Sequence, residues 1–145
     1  MTNEKQIGEY LYSTNKSKLK IDYIHHYLSE ESYWAKNIPL EIVKQSIEGS
    51  LCFGIYHNQK QVGFARIITD YATFGYLADV FIDKDYRGQS LSKELMKFIM
   101  EQEVIEKLRR FMLATLDAHS LYAQFGFESL EENKRLMGIK FFEEY

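Results

Sequence analysis

The chain has 145 residues, 46% of them hydrophobic and 15% aromatic, with a formal net charge of -3. That length suits one domain spanning 1–145, and the apolar content excludes wholesale disorder. The acidic balance argues against a general nucleic-acid binder. No apolar run approaches the ~20 residues of a membrane span, and the polar start Met1 to Gln6 gives no sign of a secretory leader. The one cysteine, Cys52, can form no intrachain disulfide, so a reducing, cytoplasmic compartment is expected.

A short first strand is expected around Glu9 to Tyr12, followed by a polar loop over Ser13 to Lys18. Ile21, Ile24, Tyr27 and Leu28 form a helical stripe, with Asp22 near its positive end. A second helix starts at Pro39, whose missing N–H is no loss in a first turn. Ile42, Val43 and Ile47 give that helix an apolar side, and Gly49 is expected as a left-handed stop. Leu51 to Tyr56 and Val62 to Thr69 read as strands joined by a short turn, hence a hairpin.

Tyr76 to Ile82 is almost wholly apolar, so it reads as a strand buried on both faces; Asp79 is the exception. After the polar loop Asp83 to Ser90, the residues Leu91, Leu95, Phe98 and Ile99 mark an amphipathic helix. Arg110 to Thr115 reads as a strand, and Ala118 to Phe125 as a short helix stopped by Gly126. Phe127 to Leu130 and Leu136 to Phe142 are expected as two final strands. The sum is a mixed α/β (α+β) domain, antiparallel in the middle and with late helices crossing between parallel strands.

The chemistry concentrates where the buried strand meets the long helix. The first amides of a helix have no intrahelical partner, and the helix dipole puts positive charge there. A diphosphate suits such an end. Gly88 lets the chain turn closely, Arg87 adds positive charge, and Ser90 and Ser92 are small hydroxyl donors. The plain alternative is a serine-capped helix start with Arg87 as a surface charge. No Gly-Lys-Ser/Thr follows at P-loop spacing and no Gly-x-Gly-x-x-Gly is present, which argues against nucleotide triphosphatase or dinucleotide chemistry.

Arg87-Gly88-Gln89-Ser90-Leu91-Ser92 resembles the Gln/Arg-x-x-Gly-x-Gly/Ala motif of the GNAT N-acetyltransferase superfamily, with serines at the two later glycine positions. Tyr76 to Ile82 resembles the family strand that pairs with pantetheine. Ala118-His119-Ser120-Leu121-Tyr122-Ala123-Gln124-Phe125-Gly126-Phe127 is similar to its late A-x-x-L-Y-x-x-x-G-F signature. Ser32 to Ala35, Gly63 to Arg66 and Asp117 to His119 suggest a bacterial subfamily of small, single-domain members. The resemblance implies a GNAT-like acyl-CoA N-acyltransferase fold, a mixed twisted sheet of about six or seven strands flanked by four helices. It implies acetyl-CoA as co-substrate, no metal, and a small-molecule or peptide amine as acceptor.

Acetyl transfer needs a neutral amine, a donor for the developing oxyanion and an acid for the departing thiolate. The resemblance puts Tyr122 in the acid's place; the alternative is a core aromatic. Asp79 is a base or an ammonium anchor, or else a salt-bridge partner of Arg66, because a buried carboxylate must be paired. Val80, Phe81 and Ile82 would meet pantetheine, with the oxyanion donor near Val80 or Phe81. Arg87, Gly88, Gln89, Ser90, Leu91 and Ser92 would hold the diphosphate. Tyr33, Trp34, Tyr71 and Phe74 would border the acceptor pocket, where aromatic faces suit a cationic amine. His25 and His26, His119 as a helix cap, and a Cys52–His57 pair are weaker candidates, and no metal-ligand spacing appears. Members of the family often dimerise through exchanged or edge-paired strands, so a homodimer is a further expectation. A catalytically inactive acyl-CoA-binding sensor or partner module, or a domain without a CoA site, are the alternative readings.

Overall fold

The computed structural model describes residues 2–130 and 134–145. Strands β1 (Glu4–Ile7), β2 (Tyr10–Ser13), β3 (Ser50–His57), β4 (Lys60–Thr69), β5 (Phe74–Ile82) and β6 (Arg110–Leu113) lie in that order in one sheet. The first five form an antiparallel meander, and β6 joins β5 in parallel. A parallel neighbour needs a crossover. Here it is made by α3 (Leu91–Met100) and α4 (Glu103–Lys107). The tight turn between β3 and β4 has positive φ at both Asn58 and Gln59, the twist that matches a two-residue hairpin.

Two apolar cores sandwich the sheet. Phe53, Ile55, Ile67, Leu77 and Ile82 face the Leu91, Leu95, Phe98 and Ile99 stripe of α3. On the other face, Cys52, Phe64 and Phe81 meet α1 (Ile21–His26) and α2 (Leu40–Glu48) through Ile24, Val43 and Ile47. α1 runs on into a π-helical turn over Tyr27–Glu31, which buries Tyr27 and Leu28. The predicted apolar stripes therefore meet the sheet, except at Ile42, which stays 41% exposed on α2. No helix among the described residues is long and apolar enough to cross a membrane.

Several boundaries differ from the expectation. The first strand is a hairpin, and its outer member β1 is too polar and exposed to show apolar alternation. α4 is only five residues, too short for a periodic signal. It makes a fifth helix with α5 (His119–Ala123). Gly49 ends α2 at φ -85, not in the left-handed region, its N–H donating to the Gln45 carbonyl at 3.2 Å. Gly126, at φ 94, is the left-handed stop expected of it.

The two final strands are not formed by Phe127–Leu130 or 136–142, and the intervening 131–133 lie outside the described residues. A strand needs a neighbour to bond, and β6 is the last strand in the sheet order. Phe127 instead turns its ring onto Tyr122 and Phe111, with centroids at 5.9 and 5.3 Å. Met137, Ile139 and Phe141 stay exposed.

Leu95 is fully buried at the centre of the α3 face. Leu95→Ala is expected to cost about 2–5 kcal/mol, since the transfer and cavity terms add. A fall in the urea midpoint at unchanged slope would register it. A shift within error would place Leu95 outside the cooperative core.

Candidate active site

The site begins with a mismatch between β4 and β5. Arg66 pairs with Ala78, and Phe64 pairs with Phe81. Ala65 alone therefore faces two residues, Asp79 and Val80, and β5 carries a bulge there. Asp79 takes φ 54, inside the left-handed region. On its other side β5 pairs with β6 only from Phe74 to Leu77. Beyond Leu77 the two strands part, and Ala78 to Ile82 runs on without β6.

A cavity of about 700 Å³ opens at this parting. Tyr33 and Trp34 form part of one wall, with Tyr76, Asp79 and Val80 on the β5 side and Tyr122 opposite. Asp79 is doubly held. Arg66 Nε donates to its Oδ2 at 2.6 Å, and Trp34 Nε1 donates to its Oδ1 at 2.8 Å. Arg66 Nη1 also donates to Ser50 Oγ at 3.1 Å. The Arg66 pairing weighed from sequence is thus present. Tyr122 is buried, and burial raises its hydroxyl pKa above the usual tyrosine value, with Tyr33 and Asp117 pushing the same way.

The turn before α3 lies at the far end of β5. Asp83 Oδ1 accepts from the Asp85 amide at 3.0 Å and starts a 3-10 turn over Lys84–Tyr86. Gly88 (φ 79) and Ser90 (φ 63) are both left-handed. The first helical bond of α3 runs from the Glu94 amide to the Ser90 carbonyl at 3.1 Å. The amides of Leu91, Ser92 and Lys93 find no acceptor among the described residues, as helix starts dictate. Nothing lies within 4 Å of where a Cβ on Gly88 would point.

The side chains around this turn support it from behind. Arg87 folds back, with Nε donating to the Ile82 carbonyl at 3.1 Å and Nη2 to Tyr27 Oη at 2.8 Å. Tyr27 stacks on Phe81 at 3.8 Å with 5° between the planes. Gln89 Oε1 accepts from the Tyr10 hydroxyl at 2.6 Å.

Tyr33, Trp34, Asp79, Val80 and Tyr122 therefore share one cavity. Phe81 and Ile82 are buried in the two cores, and Leu91 in the α3 core. Ser90 is exposed and Ser92 half-buried. Tyr71, 53% exposed, and Phe74 stand at the opposite end of β5 and line no part of the cavity. Sequence reasoning missed Tyr76, Thr115, Asp117 and Tyr145 as cavity residues. Only Asp117, one step before the Tyr122 signature, carried a signal that could have found it.

The weaker candidates have structural roles. His25 Nε2 lies 2.9 Å from the Ile38 carbonyl. His119 is not a cap; Ala118 holds that position and donates its amide to Thr115 Oγ1 at 3.0 Å. No group of His, Cys, Asp or Glu suited to a metal ion occurs among the described residues.

Comparison with known proteins places this split parallel pair and its turn in a family. The family profile described as acetyltransferase (GNAT) domain matches residues 15–143. A crystal structure of a GNAT-family acetyltransferase from Xanthomonas campestris is 46% identical, with a TM-score of 0.89, covering 93% of this chain and 95% of that one. An acetyltransferase by name from Gibberella zeae is 30% identical over 91% of this chain and 86% of its own length. A Staphylococcus aureus structure shares the fold at 20% identity and a TM-score of 0.72, over 97% of this chain and 100% of that one. The chain belongs to the GNAT acetyltransferase family.

Cys52 is buried against the Ile47 and Ser50 carbonyls, and burial pushes its thiol pKa up to about 11. It stays a protonated thiol at neutral pH. Iodoacetamide is expected to label it slowly in the native protein and fully in urea. Rapid native labelling would show that this end of β3 opens.

Proposed function

We propose that the protein is an N-acetyltransferase that moves an acetyl group from acetyl-CoA to a primary amine of a small molecule or peptide. The observation that carries the reading is that β5 joins three features in turn: the cavity with Tyr122 on its wall, the strand edge left beyond the last β6 pair, and the free amides at the start of α3. The residues present fit the co-substrate. Main-chain donors of the turn suit a diphosphate, and the space beside Gly88 lets it come close. The edge of Val80 to Ile82, beyond the last β6 pair, offers strand-type bonding to the pantetheine amides.

Bound acetyl-CoA supplies the thioester whose acetyl group passes to the amine. Arg87, folded onto Ile82 and Tyr27, shapes the turn and adds its charge, while the amides through Ser92 do most of the binding. Gln89 is held by Tyr10 and braces the same turn. Tyr122 keeps its proton well above neutral pH and holds it at the cavity wall for the leaving sulfur. Tyr33 and Trp34 present aromatic faces to the acceptor's ammonium before it loses its proton.

A second reading is an acyl-CoA-binding module without turnover. It draws on Ser90, a non-glycine residue in the left-handed region of the turn. Thiol release from acetyl-CoA across a panel of amines separates the two readings. Release supports the transferase, and binding without release against every amine supports the module. With an acceptor in hand, Tyr122→Phe is expected to lower kcat roughly 100-fold, the usual scale of an acid's contribution. Acetyl-CoA affinity by calorimetry should be nearly unchanged. An unaltered kcat would remove Tyr122 from the acid's role.

A further inference from the structure

The bulge of β5 poses a question of energy. An L-residue in the left-handed region costs about 1–2 kcal/mol, and glycine would avoid that cost. Asp79 sits there nonetheless, at φ 54. Its carboxylate ties three parts of the chain together. Oδ2 takes the Arg66 hydrogen bond from β4, and Oδ1 takes the Trp34 hydrogen bond from the segment after α1. Arg66 reaches on to Ser50 at the start of β3. The Arg66 and Asp79 side chains are only 16% and 10% exposed, so the pair is charge-assisted and little screened by salt.

The Trp34 segment is fixed at its other end as well. Ser32 Oγ donates to the Leu28 carbonyl at 2.6 Å and accepts from the Ala35 amide at 3.1 Å. Tyr33 packs edge-on against Trp34 at 5.0 Å. One carboxylate thus holds both the backbone of the bulge and the aromatic wall of the cavity. A proton delivered to either oxygen would meet an atom that already accepts a hydrogen bond. The charged and titratable groups around it are Arg66 on β4, Cys52 on β3, Tyr76 on β5 itself, and Tyr33, Asp117, Tyr122 and Tyr145 around the cavity.

We propose that Arg66, Asp79 and Trp34 form a clamp that sets the β5 bulge and the Tyr33–Trp34 wall in register, so that Asp79 is a positioning residue and not the proton acceptor. The effect on rate rests on the acetyl-transfer reading, because the amides the bulge aims are those of Val80 and Phe81. The clamp itself does not. The amine's proton passes to solvent at the open mouth, where Tyr33 is 60% exposed.

Trp34 is the chain's one tryptophan, so its fluorescence reads the clamp with neither donor nor acceptor present. Two variants of the full chain are decisive. Asp79→Gly accepts the bulge backbone without strain and deletes the carboxylate. Asp79→Asn keeps one carbonyl acceptor, enough for Trp34 or Arg66 but not for both, tolerates the left-handed region and cannot serve as a base. Asp79→Gly is expected to red-shift Trp34 emission, raise acrylamide quenching and lower kcat about 100-fold, the scale of a small misplacement of reacting groups. Asp79→Asn, with one of the two bonds left, should fall between wild type and Asp79→Gly in emission and quenching, keep more of kcat than Asp79→Gly, and preserve the acid limb of the pH–rate profile.

Should Asp79→Gly fail to fold, Arg66→Met, which keeps the apolar stem and removes the donor, carries the same emission and quenching test. Unchanged emission and quenching in the folded variant would refute the clamp. Loss of rate and of the acid limb in Asp79→Asn, with Trp34 undisturbed, would make Asp79 the base and overturn the proposal. If no amine is acetylated at all, the transferase reading fails, and the fluorescence result still decides the clamp.

Discussion

β5 carries one residue more than the stretch of β4 that it pairs with, and the sheet absorbs the surplus at Asp79 and Val80. Side chains alternate along a strand with period two. Leu77 and Phe81 are four residues apart, so a regular strand would put them on one face. Instead Leu77 lies in the α3 core and Phe81 in the α1 and α2 core. The added residue inverts the alternation, and two separate cores depend on that inversion. It also turns the chain at the point where β6 pairing stops, so the parting of the strands and the bulge fall together.

From the bulge the arrangement propagates in both directions. Toward its C-terminal end, Phe81 stacks on Tyr27, and the Tyr27 hydroxyl accepts from Arg87. The Tyr23 hydroxyl donates to Asp83 at 3.2 Å, so α1 and its π-helical extension brace the turn at two points. Two guanidinium nitrogens of Arg87 are already engaged inside the protein. An anion at this turn would therefore be met mainly by the unpaired amides of α3 and its dipole. Toward the other end, Asp79 reaches across the sheet to Arg66 and out to Trp34. The Tyr33–Trp34 wall and the turn before α3 are thus both fastened to one irregular strand, at different points along it.

How much of this was legible depended on range along the chain. The α3 stripe, the β3–β4 hairpin and the Gly126 stop are local patterns, and they read directly from neighbouring residues. Asp79 in an apolar run, with Arg66 on the adjoining strand, made a pairing foreseeable. The bulge itself has no local signature, because it exists only as a mismatch between two strands. Tyr71 and Phe74 were assigned to the site by the resemblance of their loop to the family, yet they lie at the far end of the strand whose bulged region faces the cavity. The C-terminal strands failed for a related reason. Apolar composition says that Leu136 to Phe142 suits a sheet, but it does not supply a strand to bond. Tyr76, Thr115 and Tyr145 converge on the cavity only through tertiary packing, which no spacing rule encodes.

The serines of the turn bear on energy more than on access. Ser90 pays for a left-handed conformation that glycine would take freely, and its hydroxyl makes no capping bond. Against this, a side chain narrows the unfolded ensemble, which glycine widens. The two effects are of similar size, near 1 kcal/mol, and of opposite sign. Ser90 is also exposed, so its hydroxymethyl group stands at the surface of the turn. Ser92 already lies in the first turn of α3, where a right-handed conformation suits serine as well as glycine. The amides that would meet a diphosphate come from the backbone, and the backbone path is set by φ at Gly88 and Ser90 whichever side chain occupies position 90. Departure from glycine at these two places is therefore compatible with an intact anion cradle.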